Sequence, residues 1–423
     1  MNVRSMRRVD RWIGAPLCFA LTLVRRVEDA LRPSGGATAP PRRIAVIKLA
    51  EQGATVLAYP ALCRAARVVG PQNLFFVVFA ENRFILDLLG VVPAGNVVSI
   101  RTDGLLRVIG DTLRAVARLR RERIDTSVDF EFFARSSAIL SYLCGARRRV
   151  GFHAWHGEAS YRGDLMTHRL SFNPFLHARE MFRMLVHAAE QPPGKLPACE
   201  YLPADEAPLP EYRSDERRIA EVRAILRECL GGSEPPRRIV LLNANCSDLL
   251  PLRRWPPERY VELARRLLDR HPDVAIVFTG APSEAKDAEA LVRQVGQAEP
   301  RRCVSLAGRT TMSQLLALYE LASLLVTNDS GPAQYATLTP IEVIVLFGPE
   351  SPAVFAPRTP RTHVLWSAIA CSPCVNAFND RQSACRDNVC LQRISVDHVL
   401  GVASGVLERR PALSRRVGES TGS

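Results

Sequence analysis

The chain has 423 residues, of which 47% are hydrophobic and 23% charged. It is long for a single core and ordinary in balance, so two globular domains are expected rather than a fibrous or disordered chain. The formal net charge of +13 invites a nucleic-acid partner, but the charge is nearly all arginine scattered along the chain. Only Lys48, Lys195 and Lys286 are lysines, and no basic stripe is interleaved with aromatics, which argues against nucleic acid. An anionic substrate or membrane surface suits the charge better. Of the eleven cysteines, seven stand singly, which suits a reducing compartment and not a disulfide framework.

The chain opens with the basic stretch MNVRSMRRVDR, followed by an apolar run from Trp12 to Val24 and then Arg25 and Arg26. That run is too short to span a bilayer comfortably, and no small-residue cleavage site follows it. Two readings stay open for residues 1–41: an interfacial anchor on the cytoplasmic membrane face, or a helix packed on the protein's own surface.

The string PPRRI occurs twice, at Pro40 to Ile44 and Pro235 to Ile239, and each copy launches a strand, Ile44 to Leu49 and Ile239 to Asn243. After the first come strands over Leu74 to Ala80, Val97 to Ile100 and Ile124 to Phe130. Helices are predicted over Val56 to Val69 and Leu105 to Arg121, the second from Leu105, Ile109, Leu113, Val116 and Arg120 at helical spacing. A Pro-rich stretch from Gln191 to about Ser214 reads as a linker. In the second half a helix follows Pro256-Pro257, then a strand (Ala275 to Gly280) and a helix to about Val295. Two successive βα arrays imply an α/β chain of two Rossmann-like domains, over 42–190 and 236–408. Residues 191–235 join them, and 409–423 form a polar, disordered tail. Ligands in such sheets bind outside the carboxyl ends of the strands.

Further on, an apolar strand (Leu324 to Thr327) ends in Asn328, Asp329, Ser330 and Gly331, and Pro332 opens a short helix. Cap residues followed by Pro gather free N–H groups at a strand end, a place that attracts phosphate. A strand (Ile341 to Phe347) and a Gly348-Pro349 turn follow. NDSGPA, followed by TP and LFGP, resembles the signature of glycosyltransferase family 9, the heptosyltransferase family of lipopolysaccharide assembly, and the resemblance extends over roughly residues 42 to 400. It implies GT-B architecture, two Rossmann-like domains facing a cleft.

The resemblance also implies roles. The family places a lysine two positions before a Trp-Pro pair, and Trp255-Pro256 assigns that role to Arg253, an arginine that keeps the charge for the departing diphosphate and adds a fork that suits it. Asp329 would touch sugar or phosphate, and Gln334 stands where the family commonly has histidine. The turn after the Ala275 strand, with Gly280, Ser283 and Glu284, is the natural nucleoside site, although a helix starting Ser-Glu needs no ligand. In the first strand–helix turn, Ala50-Glu51-Gln52-Gly53-Ala54-Thr55, alanine at 54 replaces the family's base aspartate. Glu51 is the nearest carboxylate and the substitute base, with Gly53, Ala54 and Thr55 lining the acceptor side. The His-, Arg- and acid-rich segment Phe152 to Glu180 lies late in the acceptor domain. There Arg162 and His168 are candidate acceptor contacts and Asp164 is a second candidate base.

Cys371, Cys374, Cys385 and Cys390 form C-x2-C-x10-C-x4-C, a spacing that leaves zinc, two disulfides or plain thiols open. The reading as a whole is an inverting, metal-independent transferase. It expects no cofactor beyond the nucleotide-sugar donor, most readily ADP-heptose, and a lipid-linked glycan acceptor at the inner membrane face. A UDP-sugar donor on the same scaffold, or a catalytically silent nucleotide-sugar-binding scaffold, are the alternatives.

Overall fold

The computed structural model describes residues 3–31, 39–193, 208–232, 236–246, 250–296 and 302–409. The first sheet contains β1 (Ile44–Ile47), β2 (Leu74–Phe79), β3 (Val97–Ile100), β4 (Thr126–Asp129), β5 (Arg148–Phe152) and β6 (His168–Leu170). The second contains β7 (Arg238–Asn243), β8 (Val274–Phe278), β9 (Cys303–Ser305), β10 (Leu324–Asn328), β11 (Glu342–Phe347) and β12 (Thr362–Trp366). Their orders are β3-β2-β1-β4-β5-β6 and β12-β11-β10-β7-β8-β9, and every pairing is parallel. Helices cover both faces of such sheets, so the central strands read as unbroken apolar runs. β1 and β10 are buried along their whole length. Strand order reverses between β1 and β4 in the first sheet and between β7 and β10 in the second, which marks two switch points where ligands bind.

Several elements depart from expectation. β5 carries two arginines and escapes a search for apolar runs. Arg148 is nonetheless buried, with Nη1 donating to Ala189 O at 2.7 Å, and Arg149 donates to Leu165 O at 2.6 Å and Ala146 O at 2.7 Å. The helix expected over Val56 to Val69 is two, Gln52–Leu57 and Tyr59–Val69, with Pro60 in the first turn of the second. The Leu105–Arg121 helix has the predicted bounds but the opposite orientation. Its inward face is Asp111, Ala115 and Leu119, while Leu105, Ile109 and Leu113 of the predictive stripe face outward. Asp111 is drawn inward by Arg101, whose Nε donates to it at 2.8 Å.

The helix Glu216–Cys229 packs on Met312–Leu321, with Val222 and Leu226 in the core of the second domain, and the Tyr212 N–H donates to Leu338 O at 2.7 Å. Residues 194–207 of the expected linker and 410–423 of the expected tail lie outside the described residues; Arg409 ends the helix Val396–Arg409. Near the amino terminus, Val3–Trp12 and Gly14–Leu31 are helices set against Arg135–Leu143 of the first domain.

The domains meet where helix Gln52–Leu57 packs on helix Gly331–Ala336. A Cβ on Gly53 would stand 3.1 Å from Gln334 Cγ and 3.4 Å from Gly331 Cα, so the close approach depends on glycine. The His177 ring, accepting from the Arg179 N–H through Nδ1, donates from Nε2 across the junction to Ala356 O at 2.9 Å.

Candidate active site

The two switch points deliver charged side chains to one place. The β1 end supplies Lys48 and Glu51, the β4 end Glu131, the loop after β7 Arg253, and the β10 end Asp329. Glu350 follows β11 and Arg381 follows β12. Lys48 is 2% exposed, with Nζ 3.0 Å from Glu131 and 3.7 Å from Glu51. Glu131 is fixed in turn by accepting the backbone N–H groups of Leu49 at 2.8 Å and Ala50 at 3.1 Å.

Glu51 is the junction of the cluster. Its backbone is left-handed, with φ of 69°, a conformation a side chain with Cβ adopts only at a cost of roughly 1–2 kcal/mol. The conformation turns its carboxylate toward the second domain, where Arg381 Nη1 donates to it. Arg381 also approaches Glu350 at 3.5 Å and lies over the Phe355 ring at 5.0 Å. Arg253 Nη1 stands 3.6 Å from Asp329, an ion pair longer than a hydrogen bond. Buried Arg253 Nε, Asp329 Oδ2 and Glu350 Oε2 have no hydrogen-bond partner among the described residues. Unsatisfied buried polar atoms of this kind are costly and call for an explanation.

The electrostatics divide the carboxyls. Burial raises Glu51, but the cations Arg381, Lys48 and Arg253 outweigh it and its carboxyl lies at about 2. Glu51 is therefore ionised at neutral pH, while its side chain keeps 30% exposure and remains reachable. Burial dominates at Glu350, whose carboxyl is pushed up to about 7 against the pull of Arg381, and at Asp329, which is also raised. One cluster thus holds a fixed anion beside a carboxyl able to keep its proton near neutrality, a division typical of reactive sites.

NDSGP and RRWPP, far apart in sequence, are joined by Asn328. Its Oδ1 accepts the Trp255 N–H at 2.9 Å and its Nδ2 donates to Asn245 O at 3.1 Å. Asn328 therefore holds Arg253 near Asp329 and is itself buried. Ser330 begins the Gly331–Ala336 helix, but its hydroxyl turns back to Asn328 O at 3.1 Å. A Cβ on Gly331 would fall 2.5 Å from the Tyr335 hydroxyl; Pro332 sits in the first turn. Gln334 donates to Phe355 O at 2.8 Å.

The remaining candidates lie elsewhere. Glu284 accepts the Ala281 N–H at 2.7 Å beside Gly280, where a Cβ would meet its carboxylate at 2.9 Å, and Ser283 is exposed. Gly53 and Thr55 are buried and Ala54 is partly buried, on the helix that packs against Gly331–Ala336. Arg162 is buried and donates to Asp129 and to Phe132 O, which makes it internal scaffolding instead of an open acceptor contact. Asp164 pairs with Arg25 at 2.6 Å and Arg169 at 2.7 Å, outside the cluster. His168 is fully buried between Thr167 Oγ1 and Gln191 O, at 2.9 Å each. Cys371, Cys374, Cys385 and Cys390 are thiols, and no three His, Cys, Asp or Glu among the described residues are arranged to hold a metal ion.

Sequence reading missed Lys48, Glu131, Glu350 and Arg381. Lys48 had a signal, a lysine interrupting the apolar run IAVIKL, and Glu350 directly follows LFGP. Arg381 had none: its partner Glu51 lies 330 positions away.

A model of glycosyltransferase family 9 (heptosyltransferase) matches residues 113–384, well over half of the chain. The chain belongs to glycosyltransferase family 9. Among curated relatives, lipooligosaccharide heptosyltransferase 2 of Haemophilus ducreyi is 27% identical over 235 residues, 54% of this chain and 62% of the relative. The matched stretch therefore spans less than two thirds of that protein. Among solved structures, E. coli ADP-heptose lps heptosyltransferase II is 19% identical with a TM-score of 0.63, covering 86% of this chain and 98% of that one. E. coli heptosyltransferase WaaC with ADP-2-deoxy-2-fluoro heptose is 16% identical with a TM-score of 0.55, covering 86% and 99%. At these identities the structures establish the fold, two Rossmann-like domains of GT-B type.

Proposed function

We propose that this family 9 protein is an inverting glycosyltransferase that moves a heptose from ADP-heptose onto a lipid-linked, lipopolysaccharide-type glycan at the inner face of the cytoplasmic membrane. The observation that carries this reading is the charged cluster at the two switch points, with Arg253, Arg381 and three buried polar atoms that lack a hydrogen-bond partner gathered beside an accessible carboxylate. The ADP-heptose donor is supported by the relative solved with an ADP-heptose analogue.

In this mechanism the acceptor hydroxyl attacks the anomeric carbon from the side opposite the diphosphate. The new C–O bond forms as the bond to the diphosphate oxygen breaks, and ADP leaves with the electron pair. Charge grows on that oxygen, and Arg253 and Arg381 are preorganised cations for it, the role in which fixed charges contribute most. They supply locally what a divalent metal supplies elsewhere. Glu51 takes the acceptor proton. In the resting cleft Arg381 holds Glu51 too acidic for that work; a diphosphate drawing on the same guanidinium loosens the pair and raises the basicity of the carboxylate as the donor arrives.

The alanine at position 54 favours one rival, a silent member that binds nucleotide-sugar without transferring it. Transfer from ADP-heptose by the parent chain excludes that rival, and Glu51→Gln then tests the base. With ADP still bound at least as tightly as by the parent and transfer from ADP-heptose reduced about 100-fold or more, Glu51 is the base; transfer at the parent rate rules it out.

A further inference from the structure

The Gly14–Leu31 helix is inside out. It packs on Arg135–Leu143 through Gly14, Cys18, Thr22 and Arg25, about one helical turn apart. That face is small and polar. Thr22 Oγ1 accepts the Asp164 N–H at 2.9 Å, and Arg25 donates to the Asp164 carboxylate at 2.6 Å. The large apolar residues point the other way: Phe19, Leu23, Val27 and Leu31 are exposed, with Trp12 just before them, at 59% for Val27 and 76% for Trp12. A helix folded onto a water-soluble core shows the reverse.

The Leu105–Arg121 helix repeats the pattern on the same side of the first sheet. Its Ala115 and Leu119 share one core with Leu140 of Arg135–Leu143 beneath Ala45 and Ile47, and Gly14–Leu31 rides on the outside of that same helix. Leu105, Leu106, Ile109 and Leu113 are exposed, Leu106 to 84%. Large apolar side chains exposed on two helices at one side of a domain mark an interaction site.

Charge identifies the occupant. On the first two helices Arg8, Arg11 and Arg26 are exposed beside Glu28 and Asp29, and on Leu105–Arg121 the exposed charges are Arg107, Arg114, Arg120 and Arg121, its one acid, Asp111, being buried. Two copies of so basic a face would repel in a self-complementary contact, whereas anionic lipid headgroups attract it. No helix among the described residues is long and apolar enough to cross a membrane. Apolar faces rimmed by arginine are the pattern of helices that lie in the interface plane.

We infer that this side of the first domain docks on an anionic lipid surface, with Gly14–Leu31 and Leu105–Arg121 both pressing their outward side chains into the headgroup region. The inference deepens the membrane-face part of the proposed function and rests on that reading for its setting, but it is read without sugar transfer, so transfer and docking can fail separately. The test is flotation of the full chain with vesicles of phosphatidylglycerol and phosphatidylethanolamine, against vesicles of phosphatidylcholine, without nucleotide. Binding is expected only to the anionic vesicles, and it weakens several-fold as salt shortens the screening length from about 30 Å to about 3 Å. Leu23→Glu with Val27→Glu, and separately Leu106→Glu with Ile109→Glu, each lower the bound fraction about tenfold or more. Because these side chains are exposed, the melting temperature and ADP titration stay at the parent values. Equal binding to both vesicle types, or binding indifferent to either pair, overturns the inference. So does a dimer, seen by light scattering, that the same substitutions dissociate.

Discussion

Replacing Arg381 with glutamine removes the cation shared by Glu51 and Glu350 while keeping a side chain that can hydrogen-bond. Glu51 lies at about 2 in place of 4.5, a displacement equivalent to roughly 3 kcal/mol. Arg381 is the largest of the cations responsible, and solvent at a side chain still 30% exposed screens the pair, so about 1.5 kcal/mol belongs to this one contact. Glu350, almost wholly buried, then keeps only Arg253 of the two cations that oppose its burial, and leaving a buried charge poorly compensated brings the total cost to about 2–4 kcal/mol near pH 8. The sign with pH follows from the same shifts. The stability contributed by depressed Glu51 is present above its unfolded value and lost as pH falls toward its folded value. Glu350, already raised to about 7 and raised further without Arg381, binds a proton as pH falls and sheds its cost. The deficit of Arg381→Gln therefore shrinks by about 1 kcal/mol or more between about pH 8 and about pH 5. Urea unfolding of parent and variant at both pH values measures it. A deficit below about 0.5 kcal/mol at pH 8, or one equal at the two pH values, refutes the reasoning.

Other outcomes follow from the geometry. Asn328→Ala strands the buried Trp255 N–H and Asn245 carbonyl and costs about 2–4 kcal/mol by chemical denaturation, with weaker ADP binding as Arg253 loses its support. Gly331→Ala drives a Cβ against the Tyr335 hydroxyl, an overpacking of about 1–3 kcal/mol measurable as a lower melting temperature. His168 and His177 are both pushed down to about 4, by burial first. The unfolded chain protonates them near 6.5, so stability falls as pH drops from about 6.5 to about 4, by up to roughly 3 kcal/mol for each. His168→Gln flattens that part of a melting-temperature profile.

The fold was largely legible because parallel sheets bury their strands on both faces, and the runs at Ile44, Leu74, Val240 and Leu324 betray them directly. β5 hid behind Arg148 and Arg149, whose charges are met by backbone carbonyls and not by water. The Leu105 stripe gave the helix correctly but misled on its orientation, since periodicity identifies an apolar face without saying which environment covers it. In the site, Glu51, Arg253 and Asp329 sit at strand ends that the sequence locates. Arg381 was invisible because it reaches the site from an irregular loop, with φ of 52°, and only the tertiary fold brings it to Glu51. Arg162, Asp164 and His168 show the other side of this: chemistry-bearing residue types clustered in sequence, which the fold engages in internal contacts, Arg162 and His168 buried and Asp164 paired with Arg25 and Arg169.

The central claim is that Arg253 and its neighbours hold the diphosphate of an ADP-sugar. Isothermal titration with ADP, UDP and GDP in metal-free buffer, on the parent chain and on Arg253→Gln, tests it most directly. The account predicts selective ADP binding by the parent and an affinity about 10- to 100-fold lower in the variant, the loss of a charged hydrogen-bonding group to an anion. Binding of none of the three nucleotides, or ADP binding indifferent to Arg253→Gln, contradicts it.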